Sequence, residues 1–170
     1  MDNISITTPK GFMAAGVACG IKASGNKDLG LIACHGGAVA AGMFTTNKVV
    51  SAAVVVCREH LATENIGAVV VNAGCANTCT GVQGLRNARK MCALAGKRLG
   101  IETDRVLVAS TGIIGHQLPM DKITRGIEMA AKACRDDEQS GRDFAHAIMT
   151  TDNVPKQAVS TARIAGTEIT

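Results

Sequence analysis

Three short segments carry residue types from which a reaction could be built. In Arg105-Val106-Leu107-Val108-Ala109-Ser110-Thr111-Gly112-Ile113-Ile114-Gly115, a strand-like run enters a small-residue turn bounded by glycines. Backbone N–H groups released from a strand ladder there, with the Thr111 hydroxyl, can point at an oxygen that becomes negative during acyl transfer. The same spacing also suits an ordinary strand-to-helix turn, and a short Gly motif does not separate the two.

The second segment, Val69 through Gly81, is a Val-rich run followed by Asn72-Ala73-Gly74-Cys75-Ala76-Asn77-Thr78-Cys79-Thr80-Gly81. A turn of this kind before a helix leaves free N–H groups that attract phosphates or carboxylates. Gly74 and Gly81 lack the spacing of a dinucleotide fingerprint, and no Gly-Lys-Ser/Thr follows, so nucleotide binding is disfavoured. Cys75 and Cys79 have no second Cys or His cluster to complete a zinc site, and no metal is expected. In the third segment, Ala147-Ile148-Met149-Thr150-Thr151-Asp152-Asn153-Val154-Pro155-Lys156, two hydroxyls and a carboxylate follow an apolar helical approach. Asp152 there could cap a turn, or the polar group could line an amino-acid site. The four histidines, His35, His60, His116 and His146, occupy unrelated contexts and do not suggest a triad.

These segments need a scaffold, and the pattern is that of a layered α/β protein: short β-branched runs alternate with stretches of helical period. Strands are predicted at Leu29–Cys34, Ala52–Cys57, Ala68–Asn72 and Arg105–Ala109. Leu85, Ala88, Met91, Cys92, Ala95 and Leu99 recur at helical spacing, with Gly100 as the stop. A second helix follows Pro119, with Met120, Ile123, Ile127, Ala130, Ala131 and Cys134 on one side. Arg135 to Gly141 reads as a polar loop, and Val159 to Thr170 as a strand, a turn and the start of another strand.

Aromatic residues make up only 2% of the 170 residues, so the core must be aliphatic and thiol-rich. Seven cysteines, an odd number in mostly apolar contexts, read as reduced thiols. The 18 Lys and Arg against 14 Asp and Glu form no basic run, which gives no argument for nucleic acid. The stretch from Met1 to Pro9 lacks the regions of a signal peptide, and no apolar run would span a bilayer. A soluble, cytoplasmic protein of one domain over residues 1–170 is expected.

Taken in order, the segments resemble the bifunctional ornithine acetyltransferase / N-acetylglutamate synthase (glutamate N-acetyltransferase) family of arginine biosynthesis. The resemblance runs through Pro9-Lys10-Gly11-Phe12, Ala14-Ala15-Gly16, Gly42-Met43-Phe44-Thr45-Thr46-Asn47, Cys57-Arg58-Glu59-His60-Leu61 and Asn72 to Gly81. It continues through Ala109 to Gly115, Leu118-Pro119-Met120 and Ala147 to Asp152. It implies a layered α/β sandwich and a precursor that cuts itself before an internal threonine, giving α and β chains that stay together as an α2β2 heterotetramer. The new β-chain threonine would take the acetyl group from N-acetylornithine and pass it to glutamate.

By the same resemblance Thr111 and Gly112 form the oxyanion hole, and Thr150 is a substrate-binding position. No cofactor is implied, although acetyl-CoA remains open as a further donor. Cys75 stands where the family loop usually has Asn. The family's Lys-Gly-x-Gly-Met stretch and cleavage Ala-Thr are not found up to Thr170, so an α-chain region ending before the cleavage site is expected. The alternative is a non-catalytic small-molecule-binding or assembly domain that kept this fold.

Overall fold

The computed structural model describes residues 4–170; Met1, Asp2 and Asn3, part of the stretch read above for a leader, lie outside the described residues. Its centre is a four-stranded sheet in the order β1 (Phe12–Val17), β2 (Leu29–Ala38), β3 (Ile66–Cys75) and β4 (Val106–Ile113). The first two junctions are antiparallel, and β3 with β4 is parallel, joined by the long helix α2 (Gly81–Leu99). Parallel neighbours need such a crossover.

Side-chain alternation divides the strands between two faces. Leu29, Leu31, Val70, Val106 and Val108 face a core completed by α1 (Ala52–His60), α2 and α3 (Met120–Ala133). Ala14, Val71 and Phe144 form a smaller cluster under α4 (Glu138–Ala147) on the opposite face. The result is an α/β layered architecture. A short hairpin, β5 (Ala162–Ile164) with β6 (Thr167–Ile169), ends the chain as anticipated, turning through Ala165 and Gly166 at positive φ.

Both predicted helices form, and Gly100 closes α2 at φ 69°, where its N–H reaches the Gly96 carbonyl. Two expectations are overturned. The run Ala52–Cys57 is helix α1, not a strand: Ala53, Val56, Cys57 and His60 are buried at helical spacing, and Ser51 caps the start by accepting from the Ala53 N–H at 3.1 Å. Three consecutive valines favour a strand locally, but packing against α2 and β4 overrides that preference. The loop predicted at Arg135–Gly141 instead enters α4 at Glu138, with the Asp137 carboxylate accepting from the Ser140 N–H at 2.7 Å. Strand β1 has no counterpart among the predicted elements.

One buried carboxylate organises the end of the sheet where β1 stops and β2 begins. Asp28 is fully buried just before β2, and its oxygens accept N–H bonds from Cys19 at 2.7 Å, Ile21 at 2.5 Å and Lys22 at 3.0 Å. Its backbone N–H donates to Val17 and its carbonyl accepts from Ala73. Burial works against the charge, but the N–H donors from Cys19, Lys22 and Ile21 prevail and hold the carboxyl below its ordinary value.

Ser51→Ala should destabilise the protein by about 1 kcal/mol, the usual loss of a helix cap, measured as a lower urea midpoint. Because the folded pKa of Asp28 is depressed, its stabilisation is present at neutral pH and is lost as pH falls below about 4. Asp28→Asn should therefore lower stability at pH 7 and flatten its acid dependence; an unchanged acid limb in denaturation curves would exclude this role.

Candidate functional site

Strand β4 does not end at Ala109. It stays in register with β3 through Ser110, Thr111, Gly112 and Ile113, opposite Asn72, Ala73, Gly74 and Cys75. The turn expected at Thr111 and Gly112 therefore begins only after Ile113, and the ladder persists where its release was anticipated. Donors are still available, because β4 is an edge strand of this sheet and alternate N–H groups of an edge point away from the neighbouring strand.

The paired strand ends are fixed by a buried polar network. Ser110 Oγ donates to Asn72 Oδ1 at 2.7 Å and accepts from the Asn77 N–H at 3.0 Å, while Asn72 Nδ2 donates to the Cys75 carbonyl at 2.8 Å. Asn77 then bonds the Gly84 carbonyl and accepts from the Thr80 hydroxyl, which ties the turn to the first residues of α2. Gly112, at φ 129°, lies so close to Gly74 that a Cβ would collide with the Gly74 backbone. That contact and the positive φ together demand glycine.

Thr111 is half-buried beside the exposed Gly112, and among the described residues its hydroxyl makes no hydrogen bond. Cys75 is half-buried, its Sγ facing the His116 and Gln117 carbonyls at 3.7 and 3.9 Å, and burial raises its pKa. Cys79 is exposed, against the general expectation of core thiols; Cys57, Cys92 and Cys134 are buried, and all seven are free.

Thr150 lies beyond α4 and lines a cavity of about 460 Å³ with Lys22, Ser24, Asn26, Lys27, His146, Met149 and Asp152. Thr111 and Gly112 do not line it. The link between them runs through Lys22, whose stem would meet any Cβ on Gly74, the register partner of Gly112. Lys27 pairs with Asp143 at 2.7 Å and Asp152 with Lys156 at 2.5 Å, the latter pair lowering the Asp152 pKa. Lys22, Lys27 and Asp28 were not singled out from sequence, and His146 was named only among histidines in unrelated contexts. Only the adjacency of Lys27 and Asp28 before an apolar strand offered a signal.

Other candidates do not converge. His60 is buried in α1 with Nδ1 2.7 Å from the Val106 carbonyl, His146 lines the Thr150 cavity, and His35 and His116 are exposed. Among the described residues no group of three or more His, Cys, Asp or Glu side chains could hold a metal ion, and no helix is long and apolar enough to cross a membrane.

Comparison with known proteins agrees with this architecture. The arginine biosynthesis bifunctional protein ArgJ of Symbiobacterium thermophilum is 47% identical over 97% of this chain and 41% of its own length. The protein of the same name from Rhodopirellula baltica is 46% identical over 93% of this chain and 38% of its own. The chain thus spans about two fifths of the length of these curated relatives. Among solved structures, an arginine biosynthesis bifunctional protein of Bacillus halodurans superposes with a TM-score of 0.91 at 37% identity, covering 99% of this chain and 87% of that one. An ornithine acetyltransferase of Mycobacterium tuberculosis complexed with ornithine gives 0.89 at 37% identity, covering 99% of this chain and 97% of that one. With a family model matching residues 13–170 as well, the chain belongs to the ArgJ family.

Proposed function

We propose that residues 1–170 form one α-chain domain of an acetyltransferase that moves the acetyl group of N-acetylornithine to glutamate in arginine biosynthesis. The nucleophile in this reading is the amino-terminal threonine of a β chain released by self-cleavage of a common precursor. Two α and two β chains assemble in the cytoplasm, and acetyl-CoA is a possible additional donor.

The threonine hydroxyl attacks the amide carbonyl while its own α-amine takes the proton, and the carbonyl electron pair moves onto oxygen. The Thr111 hydroxyl and the Gly112 N–H meet that charge. Collapse expels the ornithine amine with the proton and leaves an acetyl ester on threonine. The glutamate amine then attacks this ester and gives its proton to the α-amine; the second oxyanion, at the same place, collapses with cleavage of the threonine Oγ–acyl bond, Oγ takes the proton back, and N-acetylglutamate leaves. Thr150 contacts the amino-acid part of the substrates.

The observation that carries this reading is the unengaged hydroxyl of Thr111, beside an exposed glycine, on a strand end held rigid by the Asn72, Ser110 and Asn77 network. Preorganised donors are effective because they need not reorient as charge develops. The likeness to an acetyltransferase complexed with ornithine supports the choice of substrate.

In the complete enzyme, Thr111→Ala should lower kcat by about 10²- to 10³-fold, the usual effect of losing one oxyanion donor, with a smaller change in KM for N-acetylornithine. Turnover measured as ornithine release that stays at the parent level would remove Thr111 from this role.

A further inference from the structure

Lys22 is the one lysine at the Thr150 cavity with no carboxylate within ion-pair distance among the described residues. Lys27 is bound to Asp143, while the cavity's Asp152 is bound to Lys156. The Lys22 ammonium instead donates to two backbone carbonyls, Lys27 at 2.6 Å and Ala147 at 3.3 Å. Burial lowers its pKa, and the nearby Asp28 charge works in the opposite direction.

Ala147 is the last residue of α4, and Thr150 follows it by three positions. Carbonyls in the last turn of a helix have no partner within the helix, and a cation placed there also meets the negative end of the helix dipole. The other end of Lys22 is equally constrained: its N–H is held by the Asp28 carboxylate, and its stem lies against Gly74, opposite Gly112. One side chain therefore spans from the strand ends that carry Thr111 and Gly112 to the residue from which the Thr150 segment departs.

We propose that Lys22 is a positioning residue that sets the place of Thr150 relative to Thr111 and Gly112 by holding the end of α4 against the β3 and β4 termini. This rests on the assignment of Thr150 as a substrate contact. Lys22 acts through Thr150, since carbonyls already occupy two of the three N–H groups of its ammonium. Loss of the tether frees the segment after α4 and weakens substrate binding, while the oxyanion donors keep their own network.

The test is a double-mutant cycle in the complete enzyme, with N-acetylornithine as the varied substrate and glutamate saturating. Thr150→Val should raise KM about 10-fold, the scale of one lost hydrogen bond. Lys22→Met should raise KM several-fold with kcat within about 3-fold of the parent, and Lys22→Arg should recover most of the loss. On the Thr150→Val background, Lys22→Met should add little, because residues acting as a unit are not additive. Lys22→Gln, which keeps a neutral donor, replaces the methionine variant if that one fails to fold.

Multiplying KM effects in the double variant would overturn the proposal, as would a Lys22→Met enzyme of unchanged KM beside a Thr150→Val enzyme of raised KM. If Thr150→Val itself leaves KM unchanged, the assignment of Thr150 fails, and the proposal falls with it.

Discussion

The buried carboxylate of Asp28 gathers the segment between β1 and β2 around itself at the point where three strands meet. An ionised group cut off from water is strongly unfavourable unless donors surround it. Here the donors are the N–H groups of Cys19, Ile21 and Lys22, so the segment between β1 and β2 must wrap around the carboxylate. The backbone of the same residue joins β1 through Val17 and β3 through Ala73. Removing the charge would therefore loosen the wrapped segment and, with it, the place where Lys22 meets Gly74.

Next to this cradle, the parallel strand ends solve a related problem. Asn72 and Asn77 are almost wholly buried, and buried amides cost stability unless every polar atom finds a partner. Asn72 accepts from Ser110 and donates to the Cys75 carbonyl, Asn77 accepts from Thr80 and donates to the Gly84 carbonyl, and Ser110 also takes the Asn77 backbone N–H, so the turn after β3, the end of β4 and the start of α2 become one unit. Ala52 and Ser51 also donate to the Asn77 carbonyl, which extends the unit to the start of α1. The close approach of Gly74 and Gly112 is what remains when two strands are held together this far beyond their apolar cores.

How legible each element was depended on whether its signal was local. Helices α2 and α3 carry long apolar periodicities and were readable, as was the closing hairpin. Val54, Val55 and Val56 misled because β-branched residues favour strands locally, while the helical spacing of Ala53, Val56, Cys57 and His60 acquires meaning only from what lies beneath it. Helix α4 was obscured by its charged first turn; its buried positions, Gly141, Phe144 and Ala145, begin where the polar run ends. Thr111, Gly112 and Thr150 are singled out by resemblance alone, and the extended pairing of β4 has no local signal, since it depends on Gly74 coming from another strand. Lys22 and Asp28 act through backbone groups that an irregular loop, and for Lys22 also the end of α4, bring to them, and a sequence displays no period for that.

The two halves of the candidate site differ in how they are held, and the proposed reaction makes different demands on them. Thr111 and Gly112 sit on a paired strand locked by buried amides, where fixed dipoles would serve an oxyanion of the same shape in both transfers of the proposed reaction. Thr150 sits in an exposed segment beyond a helix end. Such a segment can shift by small amounts, which suits a position that must meet both an ornithine derivative with a cationic product and a glutamate with an extra carboxylate. Too much freedom would lose the geometry that makes attack efficient, since a displacement of about 1 Å is enough to cost large factors in rate. In the role proposed for it, Lys22 limits that freedom by tethering the end of α4 at the Ala147 carbonyl, which sets where the Thr150 segment starts.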